Sequence, residues 1–306
     1  MIITTTGKIR NNFYLLGHPG YPIFLMDAPQ PVIFEAGVCF LGNIYADQIR
    51  SILGTRQPST LFLTHVHWDH CGAASHLKNM FPSMKVAASG LAIETLKREN
   101  ALALIRKLNE DARIMMSSFP GVDSSLFLKD SFRPFDIDIE LQDNSFMDLG
   151  DGTTVEIFTT PGHTRDHHSY YLRKEKILIA GEAAGLLMRS GEVTTEFLFN
   201  YDAYVSSLER LAALPVEVFC QGHQLVLVGE DKINAFFKRS IHETISFKDR
   251  VLELLDEEGS SLEQVMKKVK AERYDTIRGM KQPEVPYMIN LKAQIAHLAA
   301  KAGGHA

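Results

Sequence analysis

The stretch TLFLTHVHWDHCG, residues 60–72, decides how the rest of the chain is read. TLFLT has the length and the apolar, aromatic content of a buried strand. It runs directly into His65, His67, Asp69 and His70. Alternate side chains of an extended segment share a face, so His65 and His67 can point at one spot. Asp69 and His70 fall where the chain turns into the next helix and can serve a neighbouring spot. Neutral imidazole and carboxylate oxygen together suit Zn²⁺, Fe²⁺ or Mn²⁺. Three imidazoles within six residues rarely serve packing, so the cluster reads as a metal-binding motif.

Further along the chain the same device recurs. TTVEIFTTPGH (153–163) ends an apolar strand with Pro-Gly and His163. KILIAGE (176–182) ends one with Gly and Glu182, and VEVFCQGH (216–223) ends one with Gly and His223. Four strands therefore finish with a candidate ligand at the same end. Ligands in layered α/β folds gather at strand ends, where loops are free to present side chains.

The series THVHWDH, PGH, AGE and QGH, in that order within residues 10–230, resembles the metallo-β-lactamase-fold hydrolases. The resemblance implies an α/β fold of the αββα type, a four-layer sandwich with a two-metal site between its sheets. It also implies a ligand set: His65, His67 and His163 on the first metal, and Asp69, His70 and His223 on the second. The family's bridging Asp falls at Glu182, one methylene longer. A Glu there can still bridge two cations, or it can order a loop beside a weak second metal. FEAG (34–37) stands where the family has a D-T-G turn. Glu35 either orients ligands or supports that turn without touching the site.

The other histidines and the cysteines are read more plainly. His167 is a candidate for a place just outside the ligands, while His168 and His76 read as structural. His18, His242, His297 and His305 have no supporting context. Cys71 reads as a small buried residue rather than a thiolate ligand, Cys39 and Cys220 as core, and Trp68 as packing.

Around these motifs the chain alternates strand-like and helix-like segments. FYLL (13–16), YPIFLM (21–26), PVIFE (31–35), KVAAS (85–89), FDIDIEL (135–141) and SYYL (169–172) read as strands. Residues 43–53, 72–81 and 202–214 read as helices. A Leu-, Ile- and Met-rich helical stretch at 91–116 and a loop at 117–134 form an insertion, about 90–134. After residue 230 only helices are expected, at 231–258, 261–273 and 285–302. The division is therefore a catalytic domain over 1–230 and a helical extension over 231–306.

The 306 residues are 45% hydrophobic and carry a net charge of -5. That balance disfavours a nucleic-acid or anionic-membrane partner. Three cysteines suit a reducing compartment, and the N-terminus lacks the basic head and apolar run of a signal peptide, so a cytoplasmic location is expected. The expected partner is a partly apolar small molecule, and a homodimer is compatible with the sequence.

Two divalent transition-metal ions, with Zn first and Fe or Mn as alternatives, would supply a bridging hydroxide for hydrolysis of an ester-like bond. Asp69 would hold the second metal and relay a proton. The helical insertion and helical C-terminus resemble the thioesterase-like branch of the family, which includes a bacterial quinolone-signal response protein; the implied substrate is an acyl-thioester or lactone. The rival readings are a phosphodiesterase, a mononuclear-iron persulfide dioxygenase, and a signalling or binding protein with a vestigial site.

Overall fold

The apolar runs of the N-terminal half assemble into one sheet and those of the C-terminal half into another. The structure, a computed structural model, describes residues 1–119, 122–130, 132–259, 261–278 and 281–303. His305 lies outside the described residues. After β1 (Ile2–Ile3), the strands β2 (Gly7–Arg10), β3 (Phe13–His18), β4 (Tyr21–Met26), β5 (Val32–Phe34), β6 (Thr60–Phe62), β7 (Lys85–Ser89) and β8 (Ile139–Leu141) lie side by side in chain order. Neighbours are antiparallel from β2 to β5 and parallel from β5 to β8.

Parallel neighbours need crossover connections, and these are helical. The first is α1 (Gly42–Leu53). The second holds α2 (Trp68–Cys71) and α3 (Ala74–Met80), and the third α4 (Gly90–Leu96) and α5 (Glu99–Ser117).

The second sheet takes β9 (Phe146–Asp148), β10 (Thr154–Thr159), β11 (His168–Leu172), β12 (Ile177–Gly181), β15 (Val218–Gln221) and β16 (Val226–Val228), closed by β1 at its edge. A hairpin of β13 (Leu186–Leu187) and β14 (Val193–Thr194) and the helix α6 (Tyr201–Ala212) separate β12 from β15. β10 and β12 are each antiparallel to β11, and β15 is parallel to β12. β10, β12 and β15 therefore all finish at one edge of this sheet. The helices α7 (Glu230–Glu257), α8 (Leu262–Arg273) and α9 (Glu284–Ala302) complete the chain.

The two sheets meet through Phe34, Phe62, Ile157, Tyr170, Ile179 and Cys220, with ring centroids of Phe62 and Tyr170 5.1 Å apart. The outer face of the first sheet packs on α1, α3 and α5 through residues such as Tyr45, Ile49, Leu77 and Ile105. That of the second packs on α6–α9 through Leu178, Phe219, Leu208, Phe237, Val269 and Ile295. The four layers are αββα, as the motif series implied. Among the described residues no helix is long and apolar enough to cross a membrane.

Two local expectations are corrected. Only Ile139–Leu141 of the alternating run 135–141 is strand. Asp138 bonds Val86 twice, through its own N–H and through its carboxylate, so the side chain closes the ladder there. The helical stretch 91–116 is two helices, because Arg98 adopts an extended conformation at the start of α5. Its apolar residues divide: Leu102, Ile105 and Met116 are buried, whereas Leu91, Leu104 and Phe119 face solvent.

Leu291, Ile295 and Leu298 of α9 share one core with the second sheet. Ile295→Ala should therefore cost about 2–5 kcal/mol. It should lower the midpoint of a single thermal transition, and a separate early transition for the C-terminal helices would contradict this.

Candidate metal centre

Beyond Phe62 the chain leaves β6 and is held across the sheets. Val66 N–H donates to Asp166 Oδ2 at 3.0 Å, and Tyr170 Oη donates to Leu63 O at 2.5 Å. These bonds fasten the H-x-H segment to the loop that carries His163 and to β11. His67 immediately precedes α2, which presents Asp69 and His70 one turn further on. Asn109 of the insertion secures α2 from outside: its amide donates to Trp68 O at 3.0 Å and its oxygen accepts from Cys39 N at 2.7 Å.

The ligand atoms of His65, His67 and His163 lie within 4.8 Å of one another, and so do those of Asp69, His70 and His223. Glu182 sits between the two groups. Its Oε1 is 3.1 Å from Nε2 of both His70 and His223, and its Oε2 is 3.9 Å from His65 Nε2. His223 Nε2 is 3.4 Å from Asp69 Oδ2, and His163 Nε2 is 3.2 Å from His67 Nδ1. All seven residues singled out by the motifs thus converge on one place.

The chemistry of this set fits divalent cations. His65 Nε2 and both Glu182 oxygens are buried with no hydrogen-bond partner. A buried carboxylate without compensation costs several kcal/mol, so its surroundings must offer positive charge. Burial holds His65 well below its ordinary pKa and lowers His163 to about 4, which keeps both imidazoles neutral and able to ligate. Burial would raise Glu182 and lower His70, but the attraction between them prevails: Glu182 is held well below the carboxylate range and His70 well above its own.

The nitrogens that face away from this centre are also engaged, which fixes ring orientation. His163 Nδ1 donates to Glu196 O at 2.6 Å and His223 Nδ1 donates to Gly20 O at 2.8 Å. His65 Nδ1 is 3.0 Å from Thr64 Oγ1, which donates to Glu35 Oε1 at 2.5 Å. The same Glu35 oxygen is 3.3 Å from His70 Nδ1. Glu35, itself at φ 69°, therefore touches His70 directly and reaches His65 through the Thr64 hydroxyl, so it supports the candidate site rather than the turn alone.

His167 comes nearer than a supporting residue needs to. Its ring stacks on His65 with centroids 5.0 Å apart, and it forms a third group with His65 and Glu182. His168 bonds Thr159 and Asp166, His297 accepts from Tyr201 N, and His242 is exposed beside Glu243, so these remain structural or peripheral. His76 packs on Gly42, and His18 accepts from Gly20 N. Cys71 and Cys220 are buried, and Cys39 Sγ donates to Asp130 O, so none is placed as a ligand. Trp68 packs edge-on against Tyr21. Thr64, Asp166 and the Glu196 carbonyl were missed; Thr64 and Asp166 at least flank the motifs, whereas a backbone carbonyl carries no signal in sequence.

Gly222 makes room for the longer carboxylate. A Cβ there would lie 1.9 Å from Glu182 Oε1. The far end of a side chain can yield, so Gly222→Ala should fold but displace the carboxylate. We expect bound metal, measured by elemental analysis, to fall at least about tenfold in affinity. Combining Gly222→Ala with the shorter Glu182→Asp should restore it. Unchanged binding in Gly222→Ala alone would show that Glu182 does not depend on this space.

The chain is similar to known proteins of one superfamily. The Metallo-beta-lactamase superfamily profile matches residues 41–223. The chain is 31% identical over 166 residues to the metallo-beta-lactamase fold-containing protein ST1585 of Sulfurisphaera tokodaii, a match spanning 53% of this chain and 59% of that one. The structure of that archaeal protein superposes with a TM-score of 0.59 at 18% identity, covering 95% of this chain and 99% of the other. The chain is also similar to the human acyl-coenzyme A thioesterase MBLAC2, at 24% identity over 70% of this chain and 76% of that one. A third relative is the hydroxyacylglutathione hydrolase GloC of Haemophilus influenzae, at 30% identity over 56% of this chain and 72% of that one. The match to ST1585 spans less than two thirds of that relative's length. With its profile match over more than half its length and its candidate ligand motifs gathered at one place, the chain belongs to the metallo-beta-lactamase superfamily.

Proposed function

We propose that this chain is a dinuclear hydrolase of acyl-thioester or lactone bonds. His65, His67 and His163 would hold one cation and Asp69, His70 and His223 the other, with Glu182 lying between the two groups. The observation that carries the reading is the Glu182 carboxylate, with one oxygen toward His65 and the other toward His70 and His223. A pair of divalent cations bound there would supply Lewis acidity and lower the pKa of a coordinated water toward neutrality.

The protein's own groups then have distinct tasks. Glu182 is almost wholly buried, whereas the Asp69 side chain keeps 14% of its surface and that of His223 21%. Asp69 is therefore the carboxylate that substrate and water can reach, and the one placed to accept a proton and return it to the leaving group. Beside it Tyr21 meets His223 edge-on at 6.4 Å and Trp68 at 5.8 Å. These half-buried rings give the apolar part of a substrate a surface next to the reacting bond.

Two relatives favour the thioester class. MBLAC2 is named an acyl-coenzyme A thioesterase and GloC a hydroxyacylglutathione hydrolase. The acidic charge of the chain disfavours a phosphodiester substrate. The preferred metal is zinc, with iron or manganese as alternatives, and the working partner is a small molecule in the cytoplasm.

Metal analysis should find close to two transition-metal ions per chain. A single iron at full loading would point instead to the persulfide dioxygenase reading. In a substrate panel acyl-thioesters or lactones should be turned over in preference to bis-aryl phosphodiesters, and Asp69→Asn should lower kcat by about 10²–10⁴-fold. Phosphodiesterase activity alone would reverse the assignment.

A further inference from the structure

Tyr204 is not part of any ligand motif, yet three of the segments that build the centre meet on it. It lies on α6 and is fully buried. Its Oη donates to Glu182 O at 3.2 Å and accepts from Glu196 N at 3.2 Å. A carbonyl can only accept and an N–H can only donate, so the single phenol uses both its capacities across two different segments. Glu196 O in turn receives His163 Nδ1 at 2.6 Å. The third segment is held by shape. A Cβ on Gly162, the residue before His163, would lie 2.3 Å from Tyr204 Cα, so the Pro-Gly-His backbone rests directly on that residue.

We infer that Tyr204 is a positioning residue for the metal ligands, its hydroxyl tying the segment that presents Glu182 to the segment that orients His163. The inference rests on the assignment of these two residues as ligands. The connection is economical because Glu182 and His163 belong to different strand ends and have no covalent reason to keep a common geometry. The C-terminal helices back the same clamp from outside. Ser240 Oγ of α7 donates to Ala184 O at 2.6 Å, and Gln294 Nε2 of α9 donates to Thr195 O at 2.8 Å. Loss of the Tyr204 hydroxyl leaves a buried N–H and one lone pair of a buried carbonyl unsatisfied. The two segments are then free to separate.

The test is Tyr204→Phe in the full chain, loaded with Co²⁺ alone, and its control is Tyr171→Phe. The Tyr171 hydroxyl also makes one bond to a backbone carbonyl, that of Pro215 at 2.6 Å, but touches no ligand segment. Tyr204→Phe is expected to shift the visible ligand-field bands and to weaken Co²⁺ binding by about 10–100-fold. Tyr171→Phe should leave both as in the parent. A folded Tyr204→Phe with parental bands and affinity overturns the inference, as does an equal change in the Tyr171→Phe control. Should Tyr204→Phe not fold, Gln294→Leu takes its place with the same two outcomes. A parent chain that binds no Co²⁺ at all would instead overturn the metal assignment on which the inference stands.

Discussion

A carboxylate buried among imidazoles is the constraint on which the rest of this structure depends. Glu182 lies away from water with neither oxygen hydrogen-bonded, while His65, His70 and His223 approach it from two sides. Such an arrangement is unfavourable unless positive charge is brought to it. It also needs rigid walls, because a carboxylate free to turn would find water or a backbone donor. The two sheets supply those walls, and every ligand leaves from the end of a strand or the start of a short helix beside one.

Holding power comes from the atoms behind the ligands. Glu35, Thr64, Gly20 and Glu196 each engage a nitrogen that faces away from the centre. These contacts set which nitrogen of each ring is left to bind, and that between Gly20 and His223 crosses from one sheet to the other. The particular partners are those of this chain, including a Glu where the related motif has an Asp and a Gly222 that leaves it space.

Much of the fold was legible before any coordinates. YPIFLM and KVAAS form strands over their whole length because both faces of the first sheet are covered and every residue but the first in each is well buried. The reading failed where pattern and packing part company. FDIDIEL alternates like a strand, but its Asp138 carboxylate bonds Val86 and the ladder starts only at Ile139. The strands Gly7–Arg10 and Val226–Val228 went unread because they are too short to show a period.

The candidate ligand set was legible in the sequence. Imidazole and carboxylate at strand ends, repeated four times, have few uses other than holding a cation, and chemistry of that kind depends on residue type and local spacing. What only the tertiary structure decided is how those strand ends face one another. Glu182 lies between the two groups, Glu35 touches the site, His167 stands against His65, and the Tyr204 hydroxyl bonds both the Glu182 carbonyl and the Glu196 N–H. Each of these depends on contacts between residues remote in the chain and on backbone N–H and C=O groups that every residue carries alike. No residue type announces them, so they exist as information only once the sheets have packed.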